Sequence, residues 1–142
     1  MISLIARCFP NRPIIYSIAW VAWFSILWIL SSHSNVAPDG PDIPYFDKIA
    51  HFGYFLGGAG LLMAWIRLKK LSDKAKELPP QWKSWLIVVG VSGIVGIIDE
   101  FHQSFTPGRQ GNDFSDWSAD VLGSMMGAWI MLKIMQHKAP SK

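Results

Sequence analysis

The chain has 142 residues, 51% of them apolar and only 16% charged, where an ordinary soluble domain carries roughly 25%. A single cysteine, Cys8, excludes a disulfide framework and a cysteine-built metal site. The formal net charge of +3 does not point to nucleic acid, because the basic residues sit in blocks beside apolar runs, and no nucleic-acid partner is expected.

The length suits one domain, expected over residues 1–142. The first apolar run, between Pro13 and Ser32, contains "IIYSIAWVAWFSILWIL" without one Lys, Arg, Asp or Glu, enough to cross a bilayer's hydrocarbon core. Arg7 and Arg12 precede it as in a signal peptide, but its length, its tryptophans and the weak cleavage signal in "SSHSNVA" favour a retained span. The second run, 49–66, is interrupted only by His51; the third, 84–98, must borrow flanking residues. The fourth, 121–132, falls short of the roughly 17–25 residues a span needs, and crosses only if its helix begins near Asp116 and Lys133 snorkels. A soluble bundle would have to hide eight tryptophans and four nearly charge-free runs. The expectation is therefore an all-α, compact four-helix transmembrane bundle with spans near 13–31, 48–67, 83–103 and 116–136.

Charge orients it. With both termini and the loop between the second and third spans in the cytoplasm, that side holds Arg7, Arg12, Arg67, Lys69, Lys70, Lys74, Lys76, Lys83, Lys133, Lys138 and Lys142, leaving only Lys48 and Arg109 outside. Asp39, Asp42, Asp47, Asp99, Glu100, Asp113, Asp116 and Asp120 fall toward the outer side, and Asp73 and Glu77 toward the inner.

Three helix ends then bring polar residues to one depth. Positions three and four apart share a helix face, which aligns Asp47, His51 and Tyr54 behind a boundary at Pro44, sets Asp99 and Glu100 near Gln103, and aligns Asp116 with Asp120. Asp113 joins the last pair if the helix reaches that far, whereas His102 points elsewhere. "TPGR" supplies a turn that folds Arg109 back as the counter-ion of Glu100. The bland alternatives are a first-turn acid at Asp116, a packed His51, and acids meeting interfacial water. Gly53 with Gly57, Gly123 with Gly127, and Gly60 with Ala64 have the spacing of close helix contacts; Gly90, Gly93 and Gly96 lack the lysine and the strand of a phosphate loop.

These blocks resemble the VanZ-like family of small bacterial membrane proteins, associated with teicoplanin resistance. The resemblance lies in "SSHS" (Ser31 to Ser34), "DKIAHFGYFLGGAG", "IDEFHQSFTPGR", and Asp116, Asp120, Gly123 and Gly127. It implies a protein of the bacterial cytoplasmic membrane and cell envelope, with no settled reaction. Asp120 stands where the family usually has Asn, which allows a further negative charge beside Asp116; if the two acids are close, one of them holds its proton.

Four functional readings remain open. An enzyme acting at the outer face on a phosphate-containing lipid or lipid-linked precursor would use Asp47, His51, Asp99, Glu100 and Asp116 as acids, bases or ligands, with Lys48, Tyr54, Gln103, Arg109 and Asp120 binding substrate. The sequence admits a divalent cation without requiring one, and no HExxH-type motif selects it. A non-catalytic binder would hold an anionic headgroup, a cell-wall precursor or a glycopeptide-related ligand through Arg109. Transport suits four short spans only in a homo-oligomer. The last reading is an ion-pair network that merely holds the helices. Serines and threonines such as Ser31 and Thr106 are too common in loops to select among these.

Overall fold

The computed structural model describes residues 6, 8–33, 45–72, 80–109 and 111–136. Arg7, Ser34, Asp39, Asp42, Pro44, Asp73, Lys74, Lys76, Glu77, Lys138 and Lys142, which entered the readings of boundaries and charge, lie outside the described residues. Four long helices run in sequence: α1 (Pro13–Ser31), α2 (Phe46–Ser72), α3 (Gln81–Gln103) and α4 (Phe114–Gln136).

Local chemistry sets their ends. Pro13 occupies the first turn of α1, where its missing N–H costs no hydrogen bond, and Pro80 in extended conformation precedes α3. α4 starts earlier than its apolar run: Asp113 Oδ1 accepts from the Ser115 N–H at 2.7 Å, as an N-cap does, so Asp113 lies just ahead of the helix.

The helices alternate in direction, and α2 packs along α4 more extensively than any other pair does. That pairing depends on two glycines. A Cβ on Gly123 or Gly127 would run into the backbone carbonyls of Phe52 and Leu56, respectively, so α4 lies directly against the α2 backbone. Gly60 faces the Gly127 carbonyl from the other side of this contact. The spacing of Gly53 and Gly57 does not serve it: both are exposed, with nothing within 4 Å of an added Cβ. Gly58, adjacent to Gly57, carries the Trp23 ring of α1 instead.

The main apolar core, including Tyr16, Met63, Val88, Met131 and Leu132, fills the half of the bundle nearest the start of α1. A smaller cluster of Leu27, Phe55 and Val95 lies beyond it, and polar side chains replace apolar ones from there to the far end. Trp23 and Tyr54 fasten α1 to α2 at this level: the indole N–H donates to the Tyr54 carbonyl at 3.1 Å, the Tyr54 hydroxyl donates to the Trp23 carbonyl at 2.7 Å, and the rings stack.

α1, α2 and α3 are long and apolar enough to cross a membrane; α4 is long enough but does not meet the same test of composition. The shortfall has a cause in the interior, because Asp116 and Asp120 are buried while Leu122, Met126 and Trp129 are exposed on the opposite side. Basic residues gather at one end, with Arg12 before α1, Arg67, Lys69 and Lys70 late in α2, Lys83 early in α3 and Lys133 late in α4. The ammonium groups of Lys83 and Lys133 lie 5.5 and 6.0 Å from the centres of the Trp82 and Trp129 rings, an amphipathic belt suited to a membrane boundary.

Candidate functional site

The opposite end is acidic. Asp47, Asp99, Glu100, Asp113, Asp116 and Asp120 come there from α2, α3, the residue before α4, and α4 itself. All but Asp47 and Asp113 are buried.

Lys48 holds the outer three. Its Nζ lies 2.9 Å from Asp47, 3.1 Å from Asp113 and 2.8 Å from Asp116. Asp113 is kept below the usual carboxylate range, first by the Ser115 backbone N–H and then by Lys48. Deeper, His51 Nδ1 donates to Asp120 Oδ1 at 2.9 Å, a bond that leaves Nε2 as the other ring nitrogen. Asp116 and Asp120 thus engage different partners. Asp120 is the residue that orients His51.

A third layer joins α1 to α3. Ser31 in the last turn of α1 donates to Asp99 Oδ1, Gln103 Nε2 donates to Asp99 Oδ2 at 2.8 Å, and the Thr106 hydroxyl donates to the Ser31 carbonyl at 3.0 Å. Glu100 anchors the loop that follows α3. Its Oε2 accepts from the Asp113 N–H at 2.7 Å, and its backbone carbonyl accepts from Asn112 at 3.3 Å. Glu100 Oε1 and Asp120 Oδ2 are buried with no hydrogen-bond partner.

The loop obeys backbone rules that the sequence reading saw only in part. Gly108 has φ 78° and Asn112 φ 61°, both in the left-handed region. A Cβ on Gly111 would collide with the Ser104 nitrogen and the Glu100 carbonyl. This path carries Arg109 back over the site, but not onto an acid. Among the described residues its guanidinium makes no ion pair, and the cation that binds the acids is Lys48. The expected Arg109–Glu100 pair is therefore corrected. The loop also brings in Ser31 and Thr106, which isolated residue types could not single out.

Two cavities open among these groups. One of about 260 Å³ runs from Leu27, Leu30, Phe46, Ala50 and Phe55 to Ser31, Asp47, His51, Asp99, Gln103 and Arg109. The other, about 170 Å³, is polar and includes Asp113, Asp116 and Gly108. Asp47, His51, Gln103 and Arg109 line both, so they form the junction. Tyr54 lines the first cavity with its ring, but its hydroxyl is turned to α1. His102 lies apart, stacked on Trp28 with ring centres 3.9 Å apart and paired with Ser32 Oγ at 2.9 Å.

Gly96 sets the depth of Asp120. A methyl there would lie 2.8 Å from Asp120 Oδ2 and 3.2 Å from Trp117 Cδ1, whose own indole N–H donates to the Gly93 carbonyl. Gly96→Ala is expected to lower stability by about 1–3 kcal/mol through overpacking. Gly90→Ala, with nothing within 4 Å, should instead gain up to about 1 kcal/mol of helix propensity. Thermal melting of the two variants in one detergent checks the contrast, and equal shifts would remove Gly96 from this role.

A helical bundle with three helices long and apolar enough to cross a membrane, one basic end and a buried carboxylate–histidine chamber at the other has the character of a multi-span membrane protein. The chain belongs to the VanZ/LLP1 family, whose match spans residues 9–136. No curated protein and no solved structure matches it.

Proposed function

We propose that the protein binds the phosphate-bearing headgroup of a membrane lipid or lipid-linked precursor from the outer side of the bacterial cytoplasmic membrane, with α4 as a fourth span and both termini cytoplasmic. The orientation is supported by the six basic residues named above at one end, against Lys48 and Arg109 at the other. The fourth span is supported by the apolar outer face of α4 and by its place along α2.

The observation that carries the binding reading is the larger cavity. Its apolar part and its polar part are continuous, and Arg109 stands at their junction within the field of Asp99 but with no ion pair among the described residues. An amphiphile suits such a shape, with its chain against Leu27, Leu30 and Phe46 and its headgroup toward Arg109. A planar guanidinium with unused donors matches two phosphate oxygens at once. About 260 Å³ is room for a headgroup and not for a whole lipid, so the chains would remain in the bilayer.

Headgroup chemistry is the second reading. Specific support comes from Ser31, which lines the cavity and donates its hydroxyl to Asp99, with His51 nearby as an acid–base group. The test is native mass spectrometry of the protein released from nanodiscs containing anionic phospholipids and undecaprenyl phosphate, with phosphate release measured in parallel. Retained phospholipid or polyprenyl phosphate, reduced at least 10-fold in Arg109→Ala, is the expected result. Equal retention of neutral and phosphate lipids by both proteins would overturn the reading. Turnover that disappears in Ser31→Ala, with binding kept, would move the protein to the enzyme class.

A further inference from the structure

The proposed binding of a phosphate meets an electrostatic difficulty in the chamber itself. Six carboxyl groups gather there with only Lys48, Arg109 and one histidine beside them, so the chamber offers an added anion more acids than bases. A cation placed among the deepest acids resolves this, and one group of residues has the composition to hold it. Donor atoms of His51, Asp99 and Glu100 all lie within 4.8 Å of one another.

We propose that His51, Asp99 and Glu100 form a divalent metal site, with zinc or manganese as the fitting ions. This deepens the headgroup reading, since the ion would compensate the acids and attract the phosphate.

The cluster is more than a set of neighbouring acids. Glu100 is 4% exposed and its Oε1 is buried without a hydrogen-bond partner, an expensive arrangement for a carboxylate oxygen that a cation relieves. His51 spends Nδ1 on Asp120 and has Nε2 available as a ligand atom. That is the carboxylate–histidine arrangement which fixes the tautomer and raises the basicity of a metal-binding imidazole. Asp99 is oriented in turn by Ser31 and Gln103. Each of the three ligands is thus positioned by a bond to a neighbouring group.

One imidazole and two carboxylates suit zinc or manganese better than calcium, which prefers an all-oxygen shell. Zinc bonds of about 2.0–2.2 Å set neighbouring ligand atoms about 3–3.5 Å apart, so loading requires modest inward rotation of the three side chains. The junction at Asp47, His51, Gln103 and Arg109 leaves space beside the cluster for water or a phosphate oxygen to complete the coordination.

The test uses the full chain in nanodiscs, stripped with chelator and titrated with Zn²⁺ alone by calorimetry, followed by X-ray absorption at the zinc edge. One ion per chain, with a first shell of nitrogen and oxygen that includes one imidazole, is the expected result. Glu100→Gln and His51→Gln should each weaken binding at least 100-fold. Asp120→Asn, which keeps an acceptor for Nδ1 and removes the charge, should weaken it about 10- to 100-fold. Asp113→Asn, outside the cluster, should leave it within 3-fold. Thermal melting of each variant separates lost ligation from lost folding, and the near-isosteric Glu100→Gln and Asp120→Asn decide the matter if His51→Gln does not fold. Absence of stoichiometric zinc, or equal affinity in Glu100→Gln, Asp120→Asn and the parent, would overturn the metal site. The headgroup reading fails separately: zinc bound without any preference for phosphate lipids would remove that reading and keep the site.

Discussion

Gly127→Ala is expected to destabilise the bundle by about 3 kcal/mol or more, although alanine is the better helix former by about 1 kcal/mol. The opposition of these two effects makes the measurement decisive. In an isolated helix the substitution would help. Here the new methyl would overlap the Leu56 carbonyl, and Gly123→Ala would do the same at Phe52. The obstructing atoms belong to a helix backbone, which cannot rotate away as a side chain can. Relief requires α2 and α4 to separate, and separation empties the contacts around Ala59, Met63, Ala128 and Met131. It also pulls Asp120 from His51, since both residues sit on the same two helices. Gly57→Ala is the control: it has the same chemistry in α2, no atom within 4 Å, and an expected change within about ±1 kcal/mol. Reversible unfolding in mixed micelles, read by circular dichroism, compares them. Similar stability in Gly127→Ala and Gly57→Ala would show that the close helix approach does not govern assembly.

The same glycines mark how far sequence alone could go. Four apolar runs separated by polar breaks make four helices legible, because exclusion of charge from long segments is a one-dimensional signal. Which glycines touch a neighbour is not one-dimensional. Gly53–Gly57 and Gly123–Gly127 have identical spacing, and only the rotation of each helix decides that the second pair faces a partner. The weakness of the fourth run has a related origin. Its inward face carries Asp116 and Asp120, so residues that belong to the chamber lower the very apolarity by which a span is recognised.

At the site, periodicity places Asp47 and His51 on one face and Asp99 over Gln103, and both arrangements appear in the geometry. It does not choose the cation. Lys48 is one position off the Asp47–His51 face, yet its long side chain reaches Asp113 and Asp116. Arg109 is in a loop whose course depends on positive φ at Gly108 and Asn112 and on bonds to Glu100, none of which a helical pattern encodes. Ser31 stands in the "SSHS" block, but its partner is not legible there. Serine is ordinary at a helix end, and only the arrival of α3 from 68 positions away gives its hydroxyl a carboxylate.

Lys48→Met tests the outer layer and should show an effect that depends on pH in a distinctive direction. The substitution keeps the apolar stem and removes the one charge shared by Asp47, Asp113 and Asp116. Removing one partner from a fully buried pair costs about 3–5 kcal/mol and from a surface pair about 0–1. The Lys48 side chain is 25% exposed and that of Asp116 only 9%, so a loss of about 1–3 kcal/mol at pH 7 is expected. In the parent, Asp113 is held below its ordinary carboxylate range, so its stabilising contribution is present above the unfolded value and disappears as pH falls through the folded one. Part of that contribution is absent from Lys48→Met at every pH, because the Ser115 N–H remains and the ammonium does not. Protonation of Asp113 also removes its repulsion with Asp47 and Asp116 in the variant. The stability gap between parent and variant should therefore hold from neutrality down to the unfolded carboxylate value and narrow below about pH 4. Paired melts between about pH 2 and 7 at low ionic strength measure this, with added salt shrinking the gap at pH 7. A gap that stays constant with pH would assign Lys48 a packing role and leave the acids held by other groups.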